Sequence, residues 1–277
     1  MKTARHAGVQ GGFTAVELMV ALVVGLAVAI AAASVLGVTE SAKRTTHATS
    51  DTNQVGAYTA QLLDRWIRSA GTGFTLAAPY AYGCRLLASK SSTQILPRPS
   101  SSALPAPFAS VTTGTAGVFR LAPVVIGDGQ TTPSVSGSAS DVLIVMGGTG
   151  GQAEAPMAFT ALSQTSALTV ASTVGVAASD LLLVADRQPS SSGPSDCLVE
   201  QVSSSFSTSS LTSIALAGTY YAATIGTSAL TSVSSEGVAM VLGNVSAGNP
   251  PNFLLIGVGA NNTLFSCQDP GHPSGAS

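Results

Sequence analysis

Charge is what this sequence has least of. Only 9% of its 277 residues are Asp, Glu, Lys or Arg, and the formal net charge is −2. Nucleic-acid binding needs clustered Lys and Arg to neutralise phosphates, so the balance argues against that class. Histidine and cysteine are equally sparse, at three each. His6, His47 and His272 lie far apart, and none is placed for a triad or a metal site. There is no Cys-x-x-Cys and no His-Glu-x-x-His. Cys84, Cys197 and Cys267 allow one disulfide and one remaining thiol in an oxidising compartment. Gly127-Asp128-Gly129 lacks the further oxygen ligands of a calcium loop and reads as a plain β-turn. Gly147-Gly148-Thr149-Gly150-Gly151 lacks the Lys-Ser/Thr of a phosphate loop and reads as a flexible strand connection. No catalytic residue, cofactor or metal is expected.

What the chain does contain is apolar or small. Its mean hydropathy of +0.41 is high for a soluble protein, and part of the excess sits in one N-terminal segment. The remainder is rich in Ser, Thr, Ala and Gly, a surface kept wet by hydroxyls rather than charges. Residues 1–12 are a short polar stretch with Lys2 and Arg5, and Leu18 to Val38 are 21 residues without charge or proline. At 1.5 Å per residue such a run spans about 30 Å, one hydrocarbon thickness. The basic stretch before it should stay cytoplasmic, although Lys43 and Arg44 beyond it make the bias modest. A secretory signal would have an apolar core of about 7–15 residues and a small-residue cleavage site. Ala31-Ala32-Ala33 mimics that site, but secretion leaves Glu17 unexplained. An unpaired carboxylate at the edge of an apolar helix costs about 2–3 kcal/mol, which makes Glu17 a functional residue by default.

Gly11-Gly12-Phe13-Thr14-Ala15-Val16-Glu17-Leu18-Met19-Val20-Ala21-Leu22 resembles the prepilin signature of type IV pilins and type II secretion pseudopilins. The resemblance implies a leader of residues 1–12, cut after Gly12 by a membrane aspartyl peptidase that also N-methylates Phe13. It implies that Glu17, the fifth mature residue, occupies the family's assembly position. The new α-amine, with an ordinary pKa of about 7.7–8.0, is cationic. Among packed apolar helices, Glu17 of one subunit can pair with the Phe13 amine of a neighbour. Two charges that are costly alone then offset one another and fix helix register.

Past Val38 the sequence is polar yet keeps helical character, with no proline before Pro79 and only Gly56 within residues 39–70. Val55, Tyr58, Leu62 and Trp66 recur at steps of three or four, with Ile67 beside them, and Gly71 and Gly73 are the natural stop. A helix from Phe13 to Ala70 would be about 87 Å long. Residues 13–38 would be its transmembrane and assembly part, and 39–71 an amphipathic stalk with Trp66 as an anchor to the head. Asp64-Arg65-Trp66-Ile67-Arg68-Ser69-Ala70-Gly71, then Gly83-Cys84, is similar to the stalk end of PilW-type minor pilins, with a longer Gly71–Cys84 separation.

In the head, 72–277, strands are expected at Val118–Ile126, Asp141–Met146, Leu181–Ala185, Cys197–Val202, Ile214–Leu216, Val238–Leu242, Phe253–Val258 and Thr263–Cys267. Residues 89–116 and 188–196 read as loops. Ala139-Ser140-Asp141-Val142 and Ala178-Ser179-Asp180-Leu181 echo each other and are similar to PilW-type strand segments. The PilW-like pattern implies a Cys84–Cys197 disulfide. Cys197–Cys267 on neighbouring strands, or three buried thiols, remain alternatives.

The expected fold class is α+β: a long N-terminal helix, transmembrane then amphipathic, packed on a mostly antiparallel β head in the manner of type IV pilins. The resemblance implies a minor pilin-like structural subunit, acting in filament initiation or at the tip, and no enzyme. Its partners would be prepilin peptidase, other major and minor pilins through helix packing, and the bacterial inner membrane before assembly, with the head in the periplasm. Afterwards it would lie in a pilus or pseudopilus filament. A minor pseudopilin of a type II secretion system, a tip-displayed adhesin and a secreted enzyme on a signal anchor are the alternatives. Mass spectrometry of the mature chain should find methylated Phe13 at its N-terminus; a terminus after Ala33 would replace this reading with simple secretion.

Overall fold

The computed structural model describes residues 12, 14–99, 104–108, 111, 118–131, 139–149, 155–186, 196–259 and 263–268. The chain divides into two compact units, one up to Leu63 and one from Asp64 onward. The first is helical: α1 runs 54 residues, Ala15–Arg68, into the start of the second. Its N-terminal half is long and apolar enough to cross a membrane. Its polar half stays helical by satisfying hydroxyls internally. Thr39, Thr45, Thr46, Thr49 and Thr52 each donate to the carbonyl four residues back.

No residue of α1 is buried. The apolar stripe expected from Val55 onward is half-buried at Leu62 and Trp66, whereas Val55 and Tyr58 are 65% and 63% exposed. The helix ends as expected, with Gly71 and Gly73 both in the left-handed region at φ +82° and +86°.

The second unit is mostly antiparallel β structure. Its strands are β1 (Arg85–Lys90), β2 (Thr93–Leu96), β3 (Val124–Thr131), β4 (Ser140–Gly147), β5 (Met157–Ala158), β6 (Ala167–Thr169) and β7 (Asp180–Ala185). They continue as β8 (Asp196–Gln201), β9 (Ser213–Ala215), β10 (Thr224–Ile225), β11 (Ser228–Ala229), β12 (Val238–Asn244), β13 (Asn252–Val258) and β14 (Leu264–Gln268). A six-stranded sheet has the order β2-β1-β8-β7-β12-β5 and a four-stranded one β14-β13-β4-β3, with β6-β9 and β10-β11 as small pairs. Together with α1 this makes an α+β chain.

The two large sheets share a core in which Leu86, Leu183 and Met240 meet Val142, Ile144 and Leu255. The other face of the six-stranded sheet is covered by a second cluster that includes Leu168, Val170, Ile214 and Leu230. Every residue of β7 and β12 is therefore buried, and Leu181-Leu182-Leu183-Val184-Ala185 is continuously apolar rather than alternating.

Several details differ from expectation. β3 starts at Val124 rather than Val118, because residues 119–121 pair instead with Cys84 and Leu86 at the start of β1. It continues through Gly127-Asp128-Gly129, which form a bulge and not a β-turn. The register with β4 shifts there, and the Gly129 N–H donates to Asp141 Oδ1 at 3.0 Å. Gly147 and Gly148 are pinned rather than flexible. The Gly71 N–H donates to Met146 O at 2.8 Å, and a Cβ on Gly148 would lie 2.6 Å from Leu242 O. Thr149 adds hydrogen bonds to the carbonyls of Asn249 and Pro250. The rest of that glycine run lies outside the described residues.

Among the described strands only β1 and β8 pair in parallel, with Arg85 opposite Asp196 and Leu86 opposite Cys197. A disulfide joins Cys84 to Cys197 across 113 residues, with the Cα atoms 5.7 Å apart. One residue along, Arg85 clamps Asp196 with two hydrogen bonds of 2.8 Å. Closing a loop of this length contributes about 4–5 kcal/mol in the chain-entropy account. Replacing Cys84 and Cys197 by Ser should lower the unfolding free energy by about 4 kcal/mol, read by chemical denaturation of the full chain in detergent. A loss below about 1 kcal/mol would assign the seam to Arg85 and Asp196 instead.

Candidate functional site

Gly12 is exposed; residues 1–11 and Phe13 lie outside the described residues. The helix opens at Thr14, whose side chain and backbone N–H both engage Glu17. Thr14 N–H and Oγ1 donate to Glu17 Oε2 at 3.1 and 3.0 Å, and the Glu17 N–H donates back to Thr14 Oγ1 at 3.4 Å. This is a reciprocal capping box, in which each residue satisfies a backbone donor that the first helical turn leaves without a partner. Sequence reasoning assigned Glu17 no local partner. The Thr-x-x-Glu spacing directly before an apolar run was the signal that would have found it.

Beyond the cap, 13 large apolar side chains between Val16 and Val38 are each more than half exposed. Burying one such side chain is worth about 1.5–3 kcal/mol, so a bare cylinder of this length does not persist in water. A bilayer or a set of similar helices would cover it, and small residues such as Ala21, Gly25 and Ala29 let such helices approach closely. Further along, Glu40 pairs with Arg44 at 3.3 Å and Asp64 with Arg68 at 2.7 Å, both in solvent. Such exposed pairs contribute little. His47 is exposed on α1, and His6 and His272 lie outside the described residues.

The head offers a cavity of about 130 Å³, lined by Phe74, Leu86, Leu121, Leu181, Tyr220 and Phe253 among others. Its side-chain polar groups among the described residues are the Tyr220 phenol and the amides of Asn252 and Gln268, so no nucleophile–base pair converges there. Among the described residues no cluster of three His, Cys, Asp or Glu could hold a metal. Cys267 lies half-buried on β14, outside the six-stranded sheet that carries Cys197, and keeps its thiol.

Burial pushes the Asp196 carboxyl up, but hydrogen bonds from Arg85 and Ser228 outweigh it and hold the group below the usual range. Burial raises Asp180 despite hydrogen bonds from the Ala177 N–H and the Asn244 amide. Glu200, deep in the second core cluster, is pushed by burial to about 8, against a hydrogen bond from the Ala222 N–H. Burial, then the neighbouring Glu200 charge, raises Tyr221. Of the site residues expected from the sequence, Glu17 is held in a specific local arrangement, at the helix start with Thr14. No protein-family model, curated protein or solved structure matches the chain.

Replacing Thr14 by Val should cost the first turn about 1 kcal/mol and speed amide exchange at Glu17 and Leu18 about fivefold in detergent micelles. Unchanged exchange would mean that the cap contributes nothing.

Proposed function

We propose that this chain is a minor pilin-like structural subunit of a type IV pilus. It is made as a prepilin, loses residues 1–12, and waits in the bacterial inner membrane as a single-pass protein with its head in the periplasm. It then enters the filament through its N-terminal helix. The observation that carries this reading is the exposed apolar run of α1, which opens on one carboxylate, Glu17, at its edge. The run needs a bilayer or like helices around it, and the acid needs a cation when those helices close in. The Phe13 α-amine of a neighbouring subunit supplies that cation. The head brings bulk and a disulfide-closed, hydroxyl-rich surface suited to display outside the cell.

Glu17→Ala should reduce incorporation into sheared filaments at least tenfold, since losing one partner of a buried charge pair costs about 3–5 kcal/mol. The head of that variant should still form its Cys84–Cys197 disulfide. Normal incorporation of Glu17→Ala would sink the proposal.

A further inference from the structure

Two consecutive residues of β8 grip one loop. Gln201 Oε1 accepts the Tyr220 N–H at 3.0 Å, and Glu200 Oε2 accepts the Ala222 N–H at 3.1 Å. The same loop, residues 218–222, also accepts the Ser91 N–H on Thr219 O at 2.7 Å. It enters at Gly218, φ +125°, where any side chain would run into the Gln201 amide. Lys90 of β1 lies over the Tyr220 ring, 5.6 Å from its centroid.

Glu200 is the unusual member of this arrangement. It is 0% exposed, and its Oε1 has no hydrogen-bond partner in the structure. Leu182 stands opposite it on β7, and Leu198 and Val202, two residues either side of it, belong to the second apolar cluster. The titratable groups facing it are Tyr221, from the loop, and Asp180, diagonal to it on β7. Asp180 is already committed to the Ala177 N–H and the Asn244 amide. β12 and β9 bring only apolar side chains to that cluster, and among the described residues no ion pair reaches Glu200. A carboxylate cannot remain ionised in such a place without a partner.

We propose that Glu200 is a proton-operated latch on loop 218–222. Protonated, the carboxyl group is neutral, stays in the apolar cluster and holds Ala222; losing its proton to solvent drives it out toward water and releases the loop. Burial places the carboxyl near 8, above its ordinary value of 4.5. The docked state therefore holds a proton that the released state gives up. Docking is fully favoured below about pH 4.5 and is lost as pH rises through about 8. Tyr220 is part of the cavity wall, so release of the loop opens the cavity on that side.

The test is amide exchange at Tyr220 and Ala222 in the full chain in detergent, from about pH 6 to about pH 10, corrected for intrinsic base catalysis. Protection should fall about tenfold per pH unit from about pH 6 to about pH 8, the slope of one proton released on opening, and should level off above about pH 8, where both states are ionised. In Glu200→Gln, which cannot ionise, protection should stay flat over the same range. Flat protection in the natural chain, or the same fall in Glu200→Gln, overturns the latch. If that variant does not fold, carbon-13 titration of the Glu200 carboxyl in the natural chain decides. A midpoint near 8, where the fall in protection levels off, supports the latch, and one near 4.5 overturns it.

Discussion

The head depends on one seam. β1 is joined in parallel to β8, while every other described pairing is antiparallel. Parallel pairing cannot be closed by a tight turn, and here the chain travels from residue 85 to residue 196 before it returns. The Arg85–Asp196 clamp fixes register at the first residue pair, and the disulfide ties Cys84, just before β1, diagonally to Cys197, which stands opposite Leu86. The seam leads to burial of the six-stranded sheet on both faces. Once β1 and β2 are anchored beside β8, the first core cluster is closed over by β4 and β13, and the second by the segments around β6 and β9.

Much of this was legible in sequence. The long helix showed through its apolar run and its missing prolines, and its stop through Gly71 and Gly73. Strands with strong β-branched or leucine runs, such as β4, β7, β12 and β13, fell within a residue or two of their expected bounds. The β1–β2 hairpin was not legible, because its turn is Ser91-Ser92. Both serines have positive φ, at 50° and 62°, where Asn or Gly would have announced the turn. The glycines after β4 looked like slack, yet their small size serves close backbone approach, which only the tertiary structure reveals.

Glu200 shows the same limit from the other side. In Cys197-Leu198-Val199-Glu200-Gln201-Val202 a glutamate reads as the solvent face of a half-buried strand. That inference assumes one wet face, and β8 has none at this point: Glu200 and Gln201 are both buried. Nothing local distinguishes the two cases. The cover comes from segments distant in sequence, including the loop that the carboxyl group holds.

The capping box at the helix start changes the character of the proposed filament contact. Glu17 does not wait with an empty carboxylate; it already accepts two hydrogen bonds from Thr14. Pairing with a neighbour's amine would then be an exchange of partners, in which old bonds are surrendered as new ones form. The net driving force of such an exchange is much smaller than its gross strength, and the same route runs backwards without stranding a bare charge. A subunit built this way would select its register strongly while being held by that contact only lightly.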